Sequence, residues 1–438
     1  MNNLGFIFAL IFAKVSYLFL KITKLSSGTS IIGKFVLKIC PCFLTCCNRY
    51  IKTKLNVTGT NGKTTTSGLI SHLIKSDNNM VINNAKGANM LNGVVNAIAV
   101  YLNPLRKVDF SVIESDEAYL AKIYEQFDAD YLVITNLFRD QLDRYGELTT
   151  TKRLIQDGIN KKDNIKLLLN ADDPLVASFE AKNIIYYGIE KVVYNDGIKK
   201  VVTDTEEAFN CINCNLPLKY SEKFFAQQGH YHCNCGYKRP EVKYSAVVNL
   251  FSSHSEVEIN GRNYYVPLVG LFNAYNAIAA ISLCLELGIK NIQENLKTFE
   301  VAFGRSEVKI LNGHETLIQL IKNPIGTTEA LKTVDLNSNI LIAINDNYAD
   351  GRDVSWLWDA KFEFLKDVKK QIVTSGIRAH DMALRLKYAG VSEDKIKIMP
   401  ILSEAIDYVG NNSENKITIL PTYTALLEID KNKHLKKK

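Results

Sequence analysis

A chain of 438 residues that is 47% hydrophobic and 23% charged can bury large cores and does not have the makeup of a disordered protein, so two or three folded domains are expected. Its formal net charge of +7 owes much to the terminal run Lys431-Asn432-Lys433-His434-Leu435-Lys436-Lys437-Lys438, which reads as a solvated, frayed end rather than a lipid or nucleic-acid contact. Nine cysteines at this length argue against a disulfide scaffold and for reduced cytosolic thiols, some of them on a metal.

Residues 4–13 are an unbroken apolar run, and residues 15–20 extend it past the single charge of Lys14. Neither the basic lead nor the small-residue cleavage site of a signal peptide is clear. A bilayer span needs about 20 largely apolar residues, and Lys14 and Lys21 punctuate about 17. Residues 1–23 are therefore expected as a helix packed on the body or lying at a membrane surface. Residues 24–50 are rich in Lys and Cys, and Cys40, Cys42, Cys46 and Cys47 are expected in a buried connector rather than on a metal.

The strongest local signal is Gly59-Thr60-Asn61-Gly62-Lys63-Thr64-Thr65-Thr66. Gly59 and Gly62 permit a tight turn that wraps backbone N–H groups around a polyphosphate. Lys63 offers a cation to the β- and γ-phosphates, and Thr64 opens a helix and can hold Mg2+ through its hydroxyl. A generic phosphate loop has a glycine where this chain has Val57, so the compact form fits better. Helical spacing follows over residues 64–75. Short apolar runs at 110–113, 131–134 and 165–169 alternate with helical stretches at 118–127 and 151–160, the pattern of a doubly wound parallel α/β sheet.

Polar residues gather after these runs, where an open parallel sheet places its ligands. Glu114-Ser115-Asp116-Glu117 suits a Mg2+ contact. Thr135-Asn136-Leu137-Phe138-Arg139-Asp140-Gln141-Leu142-Asp143-Arg144 follows the next strand, and Asn170-Ala171-Asp172-Asp173-Pro174 the one after; Asp172 and Asp173 could equally cap a helix.

The Gly-Thr-Asn-Gly-Lys-Thr-Thr-Thr form, these three blocks and Gly270-Leu271-Phe272-Asn273-Ala274-Tyr275-Asn276-Ala277 together resemble the Mur ligase superfamily. Its members use ATP to turn a carboxylate into an acyl phosphate, which an amine then attacks. The resemblance implies an α/β central domain with a parallel sheet and with ATP and Mg2+ as cofactors. It further implies Gly59, Thr60, Asn61, Gly62, Lys63, Thr64, Thr65 and Arg305 as nucleotide contacts, Glu114 on Mg2+ and Asn276 on the adenine side. Typical members carry a histidine where this chain has Gln141, so that histidine's role is not carried over. About 50 residues precede the phosphate loop, fewer than the nucleotide-sugar-binding domain of many Mur ligases needs, and the substrate is expected to be held differently.

Cys211-Ile212-Asn213-Cys214 and Cys233-Asn234-Cys235-Gly236 are separated by 18 residues, so two thiolate pairs could close a tetrahedral site around Zn2+. Gly236 supplies the turn freedom of a zinc ribbon; His230 and His232 could substitute as ligands, though four thiolates already complete the shell. A shell of four protein ligands has no open position, so its role is structural, stapling a small insertion. The stretch between the pairs lacks a basic stripe, which argues against nucleic acid as a partner.

A second α/β unit is expected from about Arg305 onward, with strands at 340–344, 371–374 and 417–420 and a helix at 379–388. Between them lies Asn345-Asp346-Asn347-Tyr348-Ala349-Asp350-Gly351-Arg352-Asp353-Val354-Ser355-Trp356. Aligning Gly351 with the sixth position of a calcium loop puts Tyr348 third and Leu357 twelfth, where Asp/Asn and Glu are expected, which argues against calcium. Acids capping the next helix and paired to Arg352 are one reading of this loop.

The loop, with Lys322-Asn323-Pro324-Ile325-Gly326, Thr374-Ser375-Gly376-Ile377-Arg378-Ala379 and Pro421-Thr422-Tyr423-Thr424, resembles the MurT family, the ligase subunits of lipid II isoglutaminyl synthases, over about residues 50–427. The zinc-ribbon insertion is also typical of that family. The resemblance implies ATP-dependent amidation of the D-glutamate α-carboxylate of the lipid II stem peptide, with ammonia from a glutamine amidotransferase (GatD-type) subunit in a heterodimer. It implies an aspartate that completes the partner's Cys-His pair; here that is Asp353, with Asp350 second. The expected domains are an apolar N-terminal segment (1–49), a central ATP-binding domain (50–304, zinc-ribbon insertion about 208–238) and a C-terminal Mur ligase-like α/β domain (305–438). The protein is expected in the cytoplasm, peripheral at the inner face of the membrane. The alternatives are a stand-alone ligase of the folylpolyglutamate synthetase type and a zinc-ribbon regulator that senses nucleotide.

Overall fold

The computed structural model describes residues 3–23, 30–84, 88–138, 148–196, 209–300, 304–414, 416–433 and 435–437. Arg139, Gln141 and the rest of residues 139–147 lie outside them, as do His434 and Lys438 of the basic tail and the side chain of Arg305. The chain divides into two compact units, the first built from Met1–Leu137 and Leu148–Phe299 and the second containing Glu300–Lys438.

The first unit opens with three helices, α1 (Asn3–Thr23), α2 (Ile31–Ile39) and α3 (Phe43–Cys47). It continues as β1 (Ile51–Thr58), α4 (Lys63–Ser76), β2 (Val81–Asn83), α5 (Leu91–Tyr101), β3 (Val108–Glu114), α6 (Leu120–Tyr124), β4 (Tyr131–Ile134), α7 (Leu148–Ile159) and β5 (Lys166–Asn170). β6 (Asn183–Tyr194), β7 (Lys219–Phe225), β8 (Gln228–His232), β9 (Tyr244–Leu250), β10 (Ser255–Ile259), β11 (Arg262–Val266), α8 (Leu271–Glu286) and α9 (Ile292–Leu296) complete it.

Nine strands form one sheet in the order β11-β10-β9-β6-β5-β4-β1-β3-β2. From β2 to β9 all neighbours run parallel, while β9, β10 and β11 pair antiparallel. The strand order turns around β1, which lies between β3 and β4, and at such a switch the crevice beyond the strand ends is open to a ligand. The apolar runs at β3, β4 and β5 are buried at successive residues toward the strand ends, so both faces are covered, as continuous rather than alternating runs require. The helix expected over 118–127 is shorter, because Asp116 Oδ1 accepts the Ala118 N–H and holds the entry as a turn. The antiparallel edge β9–β11 has no counterpart in the sequence reading.

α1 packs through Phe6, Ala9, Leu10 and Ala13, which are all but fully buried and fall at helical i, i+3, i+4, i+7 spacing. Phe6 stacks on Tyr50 with ring centroids 5.5 Å apart and leans on Phe43 at 5.3 Å. α2 crosses α5 at Gly33, where a Cβ would run into the backbone of Asn92.

The second unit contains β12 (Arg305–Leu311), β13 (His314–Gln319), α10 (Pro324–Lys332), β14 (Asn339–Ala343), α11 (Trp356–Asp359), β15 (Ile372–Ser375), α12 (Ala379–Tyr388), β16 (Ile396–Ile398), α13 (Leu402–Asn411), β17 (Ile417–Pro421), α14 (Tyr423–Ile429) and β18 (Leu435–Lys437). Its sheet runs β16-β15-β14-β17-β13-β12-β18, parallel from β16 to β13 and antiparallel at the β12–β18 edge. The basic tail is thus more than a frayed end, since Leu435, Lys436 and Lys437 pair with β12.

Candidate active site

β1 ends at Thr58, and residues 59–62 turn into the N-terminus of α4. Gly59 has φ +123 and Gly62 φ +84, conformations that disfavour a side chain. A Cβ on Gly59 would also strike Thr135 Oγ1 and Asn136 O, and one on Gly62 would overlap the Asn276 side-chain amide. The loop is pinned from β4's end: Thr60 N–H donates to Asn136 O (2.9 Å), Asn61 N–H to Asn136 Oδ1 (2.9 Å), and the Thr135 hydroxyl to Asn61 O (2.8 Å). Asn276, on α8, lies against Gly62 and accepts from the Thr66 hydroxyl at 3.3 Å. Thr64 and Thr65 lie in the first turn of α4, so the loop and the free N–H end of a 14-residue helix face the same crevice, the arrangement that receives anions.

Lys63 is buried, its ammonium donating to Gly59 O (2.6 Å), to Thr60 O (3.3 Å) and to Glu117 Oε1 (3.0 Å). Burial works against that charge, but Glu117, Glu114 and Asp116 outweigh it and hold the ammonium above its ordinary range. Glu114 ends β3 opposite Val57. Its Oε1 accepts from Asn89 Nδ2 at 3.2 Å, while Oε2 is buried with no hydrogen-bond partner among the described residues. A buried carboxylate oxygen left unsatisfied is unfavourable by about 1–3 kcal/mol and fits a hard divalent cation such as Mg2+. From sequence, Glu117 stands in an acidic block suited to Mg2+ and Thr135 and Asn136 in a polar block after a strand; their contacts with the loop and with Lys63 emerge only in the fold. Arg305 begins β12 in the second unit.

Asp172 and Asp173 are structural. Asp172 accepts from Arg239 Nε (2.6 Å), the Tyr275 hydroxyl (2.8 Å) and Ile189 N–H (2.8 Å). Asp173 accepts from Leu175 N–H (3.0 Å), Leu137 N–H (3.1 Å) and Gln227 Nε2 (3.3 Å), and burial pushes its carboxyl up to about 6. Arg239, Gln227 and Tyr237, which donates to Pro174 O, come from in and around the β7–β8 hairpin, so the two aspartates suture that hairpin to the large sheet.

Beside the hairpin the four thiols converge, with Sγ separations of 3.5 Å between Cys211 and Cys235 and 3.4 Å between Cys214 and Cys233; all four atoms lie within 4.8 Å of one another. Bonds of about 2.3 Å from zinc to sulfur set tetrahedral edges of about 3.8 Å, so the cluster fits a metal ion. Desolvation opposes ionisation of Cys211, yet the N–H groups of Asn213 and Cys214 outweigh it and bring its thiol down to about 7. Gly236 turns at φ +94. His230 is committed elsewhere, its Nε2 lying 2.8 Å from Ile189 O.

In the second unit, loops after three adjacent parallel strands meet. Asn345 after β14 donates from Nδ2 to the Thr424 hydroxyl at 3.0 Å and accepts the Ile377 N–H at 3.0 Å. Asp350 is buried and accepts from Thr424 N–H (2.7 Å), the Thr424 hydroxyl (2.6 Å) and Asn347 N–H (3.1 Å). Asp353 is half-buried and accepts from Ser355 N–H at 2.8 Å, just ahead of α11. The ion pair of this loop joins Asp346 to Arg378 at 2.6 Å, while Arg352, the expected partner, is exposed.

The chain matches the family described as the Mur ligase middle domain over residues 57–284 and that described as MurT ligase C-terminal over residues 320–426. It is 35% identical to the lipid II isoglutaminyl synthase (glutamine-hydrolyzing) subunit MurT of Staphylococcus aureus (strain COL), covering 91% of each chain. It is 34% identical to the subunit of the same name from Streptococcus pneumoniae (strain ATCC BAA-255 / R6), over 93% of this chain and 92% of that one. Among solved structures it superposes on a pseudomurein peptide ligase type C from Methanothermus fervidus with a TM-score of 0.68 and 23% identity, over 86% of this chain and 77% of that one, a likeness of fold. With both halves matched and relatives related over nine-tenths of their length, the chain belongs to the Mur ligases and, among them, to the MurT family of ligase subunits.

Proposed function

We propose that the chain uses ATP to activate the α-carboxylate of D-glutamate in the lipid II stem peptide, and that ammonia converts it to D-isoglutamine. A carboxylate oxygen attacks the γ-phosphorus and ADP leaves; the nitrogen of ammonia then attacks the acyl carbon, phosphate leaves, and the nitrogen gives up a proton. The observation that carries this reading is a complete phosphate loop in a chain whose relatives at 34–35% identity are named as lipid II isoglutaminyl synthase subunits. Those names favour neither a folylpolyglutamate-type ligase nor a nucleotide-sensing regulator.

The loop N–H groups and the head of α4 receive the phosphates, and Lys63 exchanges its bonds to Gly59 O, Thr60 O and Glu117 for phosphate oxygens. Glu114 and the Thr64 hydroxyl would hold Mg2+, which when bound offsets the charge on the transferring phosphoryl group. Asn276 completes the nucleotide contacts, and the four ribbon thiolates hold a structural Zn2+.

Ammonia comes from a GatD-type glutamine amidotransferase subunit in a heterodimer. Asp353 is the residue that orients and charge-stabilises the partner's histidine, because Asp350 is buried and already fixed by Thr424 and Asn347. The loop of Asp353 exposes Tyr348, and α11 exposes Trp358, packed edge-on against Tyr388; aromatic side chains of this kind anchor protein interfaces.

The lipid-linked substrate puts the protein at the cytoplasmic membrane face, and α1 supplies a surface for it. Residues 4–23 are long and apolar enough to cross a membrane, but the stripe from Phe6 to Ala13 is buried in the fold, which favours lying on the bilayer. The opposite face exposes Leu4, Phe8, Ile11, Val15, Leu18, Phe19 and Ile22. The first 50 residues contain six Lys or Arg and no Asp or Glu, a balance suited to anionic lipid.

The test is the co-purified pair given lipid II, glutamine, ATP and Mg2+, with the stem peptide read by mass spectrometry. Exchange of one oxygen for one nitrogen with matched phosphate release is expected. Phosphate release with an unaltered peptide would overturn the reading.

A further inference from the structure

We propose that Cys40, Cys42 and Cys46 form a second thiolate centre, binding one Zn2+ at the corner between α2 and α3. From sequence these cysteines are expected in a buried helix or connector rather than on a metal. The fold brings them together all the same. Sγ separations are 3.9 Å for Cys40–Cys42 and 3.9 Å for Cys42–Cys46, and the three atoms lie within 4.8 Å of one another. Three sulfurs about 2.3 Å from one ion stand about 3.8 Å apart, so a small contraction of the trio suffices.

The corner is made by local chemistry. α2 closes with the Cys40 N–H on Val36 O at 2.8 Å. Pro41 has no N–H with which to continue the helix, and the chain turns so that Phe43 N–H reaches Cys40 O at 3.0 Å. Cys42 then caps α3 and Cys46 follows four residues later, its N–H on Cys42 O at 3.0 Å. The two helical segments meet at 87°, and Cys40 swings in from the first to join the pair on the second.

Three ligands leave the fourth tetrahedral position for water. Cys42 is exposed, so that position faces solvent. Cys47 is buried and stands outside the trio. Zinc enters as three S–H protons leave, and the centre then carries a net charge of about −1 in a segment whose side-chain charges are all positive. Thiolates select soft or borderline ions, which makes zinc the main occupant and copper(I) its competitor. Phe43, between Cys42 and Cys46, packs on Phe6, so the centre would stiffen the corner on which α1 rests.

Metal content of the full chain, purified with its partner and without chelators, tests this. Wild type should carry about two zinc per ligase chain, Cys42→Ser/Cys46→Ser about one, and Cys211→Ser/Cys214→Ser about one, the remaining ion in each case being held by the other site. Cys42→Ser alone changes an exposed thiol and guards against misfolding of the double variant. Alkylation should spare Cys42 until a chelator is added, and Co2+ in place of zinc should give thiolate charge-transfer bands that Cys42→Ser weakens. The proposal fails if natively folded Cys42→Ser keeps the wild-type zinc, if Cys42 alkylates freely in zinc-replete protein, if copper alone occupies the site, or if the purified chain holds a disulfide among these cysteines. Zinc lost only from the Cys211→Ser/Cys214→Ser variant would leave the ribbon in place and remove this site.

Discussion

The aspartate that serves the partner can be identified by comparing Asp353→Asn with Asp350→Asn, because the two carboxylates have different surroundings. Asp353 accepts one backbone N–H, from Ser355, and an asparagine oxygen can accept the same bond, so the folded state should change by less than about 1 kcal/mol. If Asp353 stabilises an imidazolium across the interface, a neutral amide cannot. Glutamine-driven amidation should then fall on the order of 10^3- to 10^4-fold, about 4–5.5 kcal/mol of transition-state stabilisation. Amidation with ammonia supplied directly should stay within about twofold, because the acyl phosphate still forms.

Asp350→Asn acts differently. Asp350 receives three donors, and an amide must turn its NH2 toward one of them. Each charge-assisted bond is worth about 1.5–3 kcal/mol, so a destabilisation of about 2–4 kcal/mol is expected, with parallel losses for both nitrogen donors. The assay is lipid II amidation by the heterodimer with glutamine or ammonium chloride, beside thermal unfolding of each variant. Equal loss of both activities in a stable Asp353→Asn would refute the assignment, and a glutamine-specific loss in Asp350→Asn would transfer the role to that residue.

Gly62→Ala should cut ATP turnover at least 10^2-fold, since the added methyl meets Asn276 at a backbone angle that alanine disfavours; single-turnover phosphate release checks it, and near-normal turnover would mean that the loop is not shaped as described. The Asp173 carboxyl titrates near 6 when folded against an ordinary value of 3.8, so its stabilising contribution is present below about pH 4 and is lost as pH rises through 6, about 3 kcal/mol in all; urea midpoints of wild type and Asp173→Asn should show the variant with the flatter dependence across that window. Phe8→Glu/Phe19→Glu should reduce sedimentation with phosphatidylglycerol vesicles more than tenfold while leaving ATP turnover unchanged; resistance of the wild type to carbonate extraction would instead indicate a span, and concentration-dependent dimerisation a second copy on that face.

The central sheet was legible because its strands are buried on both faces and leave continuous apolar runs, as at 131–134, where the expected and observed limits of β4 coincide. The helix at 379–388 was equally clear from its spacing. What escaped the sequence depends on chain segments far apart in number. Asn136 becomes part of the phosphate loop only because β4 pairs with β1, and Asp172 becomes a suture only because Arg239 and Tyr275 reach it from 67 and 103 residues away. The antiparallel strands β9–β11 alternate buried with half-buried or exposed residues, a weaker pattern than a buried run. The thiols of Cys40, Cys42 and Cys46 converge through a helix corner that no spacing rule encodes.

The loop of residues 59–62 is held by three contacts with different origins. Asn136 and Thr135 hold its backbone from the neighbouring strand's end, Asn276 blocks the space behind Gly62, and Glu117 pairs with Lys63. The Lys63–Glu117 pair is buried on both sides, so neither charge could remain there unaccompanied. The same carboxylate favours the charged ammonium, and on the proposed function a triphosphate would compete with that one anion for Lys63 rather than order a flexible chain. On that function, binding energy not needed to order the loop would serve to align the acceptor carboxylate with the γ-phosphorus, which is where a phosphoryl-transfer enzyme gains most of its rate.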